Sequence, residues 1–214
     1  VQRQINDALD KFARSKDSVK LLAVSKTKPI TAIEKAYEAG QRDFGENYLQ
    51  ESVDKITQLA HLPDAVWHFI GPIQSNKTTA IANNFSWVHS VDRAKIARRL
   101  NEQRSSQDTP LNVCLQVNIS GESTKSGMLV EELDELAQIV DSSPNLVLRG
   151  IMAIPKKDAP KSSYVAMNEL YVSLKSQFST VDTFSMGMSA DLEIAIEHGS
   201  TMVRIGTAIF GART

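Results

Sequence analysis

Short apolar runs alternate with helix-like segments along the whole 214-residue chain. After an opening helix over residues 2–14, eight strands are predicted over residues 20–25, 42–45, 66–70, 85–91, 111–119, 146–154, 183–186 and 201–205. Helical patterns separate them over residues 30–39, 47–59, 75–83, 92–103, 129–140, 160–178 and 191–197. Because the first strand is apolar from Leu21 to Val24, it suits a parallel sheet covered on both faces.

This alternation predicts an α/β fold, a single (β/α)8 TIM barrel domain over residues 1–214. The alternative is an open doubly wound sheet, which usually carries a glycine-rich turn after its first strand. Here that turn, Ser25 to Pro29, contains no glycine. We therefore expect the sheet to close.

The charge balance excludes a bulk attraction to nucleic acid or to anionic membranes. Lysine and arginine number 24 against 25 acidic residues, for a net charge of -1. No apolar run approaches membrane-spanning length and no leader-like segment is present, so we expect a cytoplasmic protein.

Cysteine and histidine usage argues against a disulfide framework and a metal site. The one cysteine, Cys114, lies in an apolar run and is expected to be a buried, inert thiol. The four histidines are scattered without ligand spacing; they are His61, His68, His89 and His198.

Lys26 stands where the first buried strand should emerge at the carboxyl end of the barrel, the end at which such folds build their sites. An ammonium there must be solvated, paired or neutral, and a neutral amine is a nucleophile for carbonyl carbon. A lysine that only reaches solvent or a carboxylate is the alternative.

Two small-residue loops follow the seventh and eighth predicted strands and suit an anion. Ser189, and Gly206 with Thr207, would offer backbone N–H groups and hydroxyls where barrels commonly bind phosphate. A plain helix cap and a plain turn are the alternatives. Arg204, inside the last strand, needs an acceptor from either a carboxylate or a ligand.

Six segments together point to a known family: Ala23 to Pro29, Phe44 to Asn47, Trp67 to Gly71 with Gln74 to Lys77, Ser126 to Met128, Ile151 to Ala153, and Arg204 to Gly211. Their combination resembles the YggS/PROSC family of pyridoxal phosphate homeostasis proteins, nearly end to end. The resemblance implies a barrel similar to the N-terminal domain of bacterial alanine racemase. It also implies that pyridoxal 5'-phosphate (PLP) is held as a Schiff base.

The resemblance assigns a role to each candidate residue. Lys26 would be the Schiff-base lysine and Arg204 would face the pyridine nitrogen. The remaining implied cofactor-binding residues are Ser189, Gly206 and Thr207 at the phosphate, and Asn47 and His68 by the ring or its lysine.

An arginine at the pyridine nitrogen keeps that nitrogen unprotonated and mutes carbanion chemistry. Alanine racemase is similar but draws a second acid/base tyrosine from a separate C-terminal domain. No tyrosine follows the last predicted strand here; the four are Tyr37, Tyr48, Tyr164 and Tyr171. We therefore expect a monomeric carrier that releases PLP to apo-enzymes, not an enzyme.

Two enzymatic alternatives stay open, a weak PLP-dependent amino-acid racemase and a class I aldolase acting on a phosphorylated sugar. Lys28 and Lys125 are candidate second amines for the aldehyde. The alternative for both residues is an ordinary solvated lysine.

Overall fold

The computed structural model describes residues 1–105, 107, 109–121, 126–156 and 158–212. Its strands are β1 Lys20–Val24, β2 Asp43–Glu46, β3 Val66–Phe69, β4 Trp87–Val91, β5 Leu111–Gln116, β6 Leu146–Met152, β7 Thr183–Ser185 and β8 Met202–Ile205. Its α-helices are α1 Gln2–Lys11, α2 Ile30–Glu38, α3 Leu49–Gln58, α4 Thr78–Asn84, α5 Ala94–Arg104, α6 Leu133–Asp141, α7 Lys161–Gln177, α8 Leu192–Glu197 and α9 Thr207–Phe210. Single 3-10 turns precede α4 at Ser75–Lys77 and α6 at Val130–Glu132.

The eight strands are parallel and close into a barrel in chain order. The prediction of a closed (β/α)8 barrel is confirmed, and the open doubly wound sheet is wrong. Closure depends on β1 and β8, which pair from Lys20 with Met202 to Ala23 with Ile205.

Several predicted element bounds differ from the structure. The fifth strand ends at Gln116, and Val117 makes only an isolated bridge to Met128. The chain therefore leaves the sheet earlier than its apolar run suggests. A short helix that the pattern did not predict, α9, begins directly after β8.

Most of the apolar core lies between the strands and the surrounding helices. Phe44, Phe69, Phe85 and Phe184 are among its largest fully buried side chains. Because strand residues alternate between faces, the residues that follow or precede an outward-facing strand residue point into the barrel. His68 and His89 are two of these, and both are fully buried.

Gly150 shows why the β6–β7 ladder needs a residue without a side chain. Its φ is +147°, and a Cβ there would lie 1.8 Å from the carbonyl oxygen of Thr183. Any other residue would push β6 and β7 apart.

Cys114 is fully buried, as the sequence predicts, and burial raises the pKa of its thiol. Within the described ranges, no helix is both long and apolar enough to cross a membrane. The same residues contain no group of three or more histidine, cysteine or acidic side chains placed to hold a metal ion.

Candidate functional site

Lys26 lies in a tight turn directly beyond β1, at the carboxyl end of the barrel. Ser25 is fully buried, and its carbonyl oxygen accepts a hydrogen bond of 3.1 Å from the N–H of Lys28. Thr27 adopts a left-handed conformation with φ of +61°. A β-branched residue rarely adopts this backbone, so the neighbouring structure must hold it there.

Three charged residues, Glu46, Glu51 and Lys55, hold both residues that flank Lys26, and we call them the anchor cluster. Oγ of Ser25 donates to Glu46 at 2.6 Å, and Nζ of Lys55 donates to the Ser25 carbonyl at 2.8 Å. The N–H of Thr27 donates to Glu51 at 2.6 Å. Lys55 in turn lies between the two carboxylates, 3.0 Å from Glu46 and in contact with Glu51.

The anchor cluster is largely closed to water. Glu46 is fully buried, and burial raises the pKa of its carboxyl against the opposing effects of Ser25 and Lys55. Because a buried charge without its partner costs several kcal/mol, the ion pair tolerates little displacement. The turn that carries Lys26 is therefore fixed at both of its neighbours.

Arg204 lies in β8, only 4% exposed, and its backbone pairs with Leu22 of β1. Nη1 donates to the carbonyl of Ser185 at 2.7 Å and to its Oγ at 2.8 Å, and Nη2 donates to the carbonyl of Ala153 at 2.9 Å. Burial lowers the pKa of Arg204 to about 10, which still leaves it charged at neutral pH.

The acceptors of Arg204 are protein oxygens that the sequence-based choice between a carboxylate and a ligand did not include. Among the described residues, none of the ion pairs within 4.0 Å includes Arg204. Neutral oxygens hold the guanidinium instead, so its charge is not cancelled by a carboxylate in contact with it. Such a group suits an electron-rich ligand atom.

His68 lies within β3 and is fully buried. Its Nε2 is 2.9 Å from Oδ1 of Asp43, and its Nδ1 is 2.9 Å from Nε2 of His89. Both ring nitrogens are therefore engaged inside the barrel, and a direct hydrogen bond from His68 to a ligand would require one of these contacts to break.

Asn47 borders a cavity of about 190 Å³ at the mouth of the barrel, lined also by Ile70, Pro72, Gln116, Ser126 and Ile154. The Oδ1 of Asn47 is buried and has no hydrogen-bond partner among the described residues. An orphaned buried acceptor is costly, so this atom is a candidate contact for a ligand donor. Gly71 packs directly against Asn47, where a Cβ would lie 2.2 Å from the Asn47 carbonyl oxygen.

The two predicted phosphate loops meet at a second cavity, of about 430 Å³, which Ser189 and Ala208 both line. Ser189 is exposed and is not the helix cap, because Asp191 directly precedes α8 and accepts the N–H of Met188 at 2.7 Å. Thr207 is exposed at the start of α9, directly after Gly206. Asp7 and Lys11 of α1 also line this cavity.

The structure describes only one of the two candidate second amines, Lys28 and Lys125. Nζ of Lys28 donates to the carbonyl of Ala212 at 2.6 Å, and β1 does not continue to carry Lys28 on the same face as Lys26. Lys125 lies outside the described residues.

Comparison with known proteins gives this geometry a family. The family model "Alanine racemase, N-terminal domain" matches residues 3–214. The pyridoxal phosphate homeostasis protein of Pseudomonas aeruginosa is 56% identical over 217 residues, covering 100% of this chain and 93% of that protein. The protein of the same name from Escherichia coli K12 is 53% identical over 222 residues, covering 100% and 94%. The chain belongs to the pyridoxal phosphate homeostasis protein family.

Solved structures agree with this family assignment. PipY of Synechococcus elongatus, solved with PLP bound, has a TM-score of 0.80 and 34% identity, covering 97% of this chain and 100% of PipY. Alanine racemase of Corynebacterium glutamicum has a TM-score of 0.71 at 16% identity, covering 99% of this chain and 60% of the racemase. The racemase comparison supports the barrel fold alone.

Sequence reasoning missed several residues of this family member's site region, namely Glu46, Glu51, Lys55, His89 and Ser185. One signal was present: Glu46 is a charged residue at the carboxyl end of a strand, where barrels of this kind build their sites. The other residues gave none, because their importance depends on packing between distant strands and helices.

Proposed function

We propose that this chain binds PLP covalently through Lys26 as a Schiff base and releases it to apo-enzymes, as a monomeric cytoplasmic carrier formed by one barrel domain. The observation that carries the proposal is the anchored lysine turn on β1 beside β8, the strand that holds Arg204. The names of the relatives and the PLP-bound PipY support the same cofactor.

The residues present fit PLP. Lys26 would supply the amine that binds the aldehyde of the cofactor, and Arg204 would supply a charged donor that no carboxylate of the described residues contacts. The Oδ1 of Asn47 is a buried acceptor that no described residue contacts with a hydrogen bond. Ser189, Gly206 and Thr207 would hold the phosphate. His68 would support Arg204 and would not contact the ring itself.

We infer a carrier rather than an enzyme from the charge at Arg204. Bound PLP supplies an electron sink for carbanion chemistry, and this sink is strongest when an acidic group protonates the pyridine nitrogen. A charged guanidinium donates a hydrogen bond without transferring its proton at neutral pH. Arg204 therefore keeps the ring in its weaker form.

The racemase alternative is tested directly by α-proton exchange. L-alanine is incubated in deuterated water with the PLP-loaded protein or with free PLP at the same concentration. Exchange no faster than with free PLP supports the carrier, whereas exchange well above that rate would establish the enzyme.

The site is tested by adding PLP to the purified protein, reducing with borohydride and mapping the labelled peptide. We expect one label, on Lys26, and its loss in Lys26→Ala. Lys28→Ala is the matched control, since its amine is bonded to the Ala212 carbonyl, and it should keep the label. Label spread over surface lysines in the unmodified protein would refute the site.

Release is tested separately by mixing the loaded protein with the apo form of a PLP-dependent enzyme. Recovery of that enzyme's activity in the presence of a phosphatase that destroys free PLP would indicate protected transfer. Recovery abolished by the phosphatase would limit the role to binding.

A further inference from the structure

A continuous series of hydrogen bonds crosses the barrel interior from Arg204 to Asp43, and we call its five residues the hydrogen-bond chain. Nη1 of Arg204 lies 2.8 Å from Oγ of Ser185, which lies 3.1 Å from Nδ1 of His89. Nε2 of His89 lies 2.9 Å from Nδ1 of His68, whose Nε2 lies 2.9 Å from Oδ1 of Asp43. The contact from β4 to β7 joins strands that are not neighbours, so it spans the interior.

The chemistry of the groups gives every bond in this chain the same direction. The carboxylate of Asp43 only accepts, so Nε2 of His68 carries a hydrogen. A neutral His68 then accepts at Nδ1 from Nε2–H of His89. By the same argument, Nδ1 of a neutral His89 accepts the hydroxyl hydrogen of Ser185.

Burial keeps the two imidazoles neutral. His68, His89 and Ser185 are each 0% exposed. Burial lowers the pKa of His68 despite the opposing effect of Asp43, and it lowers the pKa of His89 further, assisted by His68 and Arg204.

The direction of the chain has a consequence at Arg204. Because the single hydrogen of the Ser185 hydroxyl is used by His89, the Ser185 oxygen can only accept from the guanidinium. Nη1 is held at this oxygen and at the Ser185 carbonyl, while Nη2 is held at the Ala153 carbonyl. Rotation of the guanidinium would break three bonds inside a buried site.

The opposite end of the chain is also fixed. Oδ1 of Asp43 lies 3.5 Å from Nζ of Lys20, and its side chain is 14% exposed at the amino end of the barrel. Trp87 stacks on His68 with ring centroids 5.3 Å apart and an interplanar angle of 17°. The histidine ring that continues the chain is thus held in its plane.

We propose that Ser185, His89 and His68 are positioning residues for Arg204, which they orient as a donor toward a ring-nitrogen acceptor bound at the site. The identity of that acceptor rests on the proposed function. The order of the hydrogen bonds behind Arg204 does not.

The first test uses the cofactor-free protein, labelled with nitrogen-15 in its histidines and observed by NMR. His68 and His89 should both carry hydrogen on Nε2 and none on Nδ1, unchanged over about pH 6 to 8. A hydrogen on Nδ1 of either buried ring would overturn the proposal.

The second test follows the nitrogen-15 shift of ring-labelled PLP bound to the protein. Ser185→Ala should move this shift and Ser185→Thr should restore it. The control Thr78→Val removes another buried hydroxyl, which donates to the Ser75 carbonyl before α4, and should leave the shift in place. An unchanged shift in Ser185→Ala would overturn the proposal.

The two tests separate this proposal from the proposed function. If borohydride labelling does not select Lys26, the carrier site fails, and the histidine spectra still decide the order of the hydrogen-bond chain. If Lys26 is labelled and the histidine spectra disagree, only the positioning role fails.

Discussion

The ammonium of Lys55 lies 3.0 Å from the carboxylate of Glu46 and 2.8 Å from the carbonyl oxygen of Ser25, so a single buried cation joins β2 to the turn that carries Lys26. The turn of the lysine proposed to bind the cofactor is thus held by a second, buried lysine. Lys55 fixes the position of the turn, and Lys26 would react with the cofactor.

Replacing that cation should damage both the fold and the site. Lys55→Met leaves two carboxylates buried or half-buried without their partner, and we expect a loss of about 3–5 kcal/mol in the free energy of unfolding. Urea denaturation measures the loss, and borohydride labelling should show less modification of Lys26. In the control Lys161→Met, which breaks an exposed pair with Glu197, the change should stay within about 1 kcal/mol.

A methyl group at Gly71 should weaken PLP binding by displacing Asn47. The added Cβ would lie 2.2 Å from the Asn47 carbonyl oxygen, so one of the two segments must move. Overpacking of this kind typically costs about 1–3 kcal/mol. Gly71→Ala should therefore raise the dissociation constant for PLP, measured by absorbance titration. Affinity equal to that of the unmodified protein would contradict this prediction.

Stability should fall as the pH drops below 6.5. The folded pKa values of His68 and His89 lie below the ordinary 6.5, so the unfolded chain takes up protons that the folded chain refuses. Their contribution is complete above pH 6.5 and is lost as the pH falls toward the folded values, at up to about 1.4 kcal/mol per pH unit for each histidine.

The measurement compares urea denaturation at about pH 7.5, 6.5 and 5.5 for the unmodified protein and for His89→Gln. In the variant, the slope of the free energy of unfolding against pH that the two histidines contribute should fall by about half. Glu46, whose raised pKa acts in the opposite direction, is common to both proteins and cancels from the difference. Equal slopes would mean that His89 is protonated alike in both states.

Cys114 should resist alkylation in the folded protein. It is fully buried and burial raises the pKa of its thiol, so little reactive thiolate is present. We expect labelling by a thiol reagent to be more than about a hundredfold slower than in denaturant, because it requires opening of the barrel. Rapid labelling of the native protein would show that the interior is accessible.

The parts of this molecule that sequence predicts are those with a local pattern. The length and spacing of the apolar runs predicted the barrel, because a short continuous apolar run indicates a strand buried on both faces rather than a helix. Lys26 and Arg204 were proposed as site residues because a charged residue in or beside an apolar run needs an explanation of its own.

The residues that sequence reasoning missed interact across the fold. His89 meets Ser185 only because β4 and β7 face each other across the closed barrel, a relationship that neither strand's own pattern contains. Lys55 joins Glu46 only after α3 packs on the barrel wall. His68 was expected beside the ligand because its strand position was visible, whereas the partners that occupy its ring nitrogens were not.

Pairing of β1 with β8 joins the first and last strands of the barrel, β1 leading into the turn of Lys26 and β8 carrying Arg204. During synthesis β1 leaves the ribosome before the other seven barrel strands, and β8, which carries the arginine, leaves after them. A nascent or truncated chain therefore has the amine without the site, and it should not sequester the cofactor. Only a completed barrel should bind the cofactor, so cofactor binding should indicate that the barrel has folded.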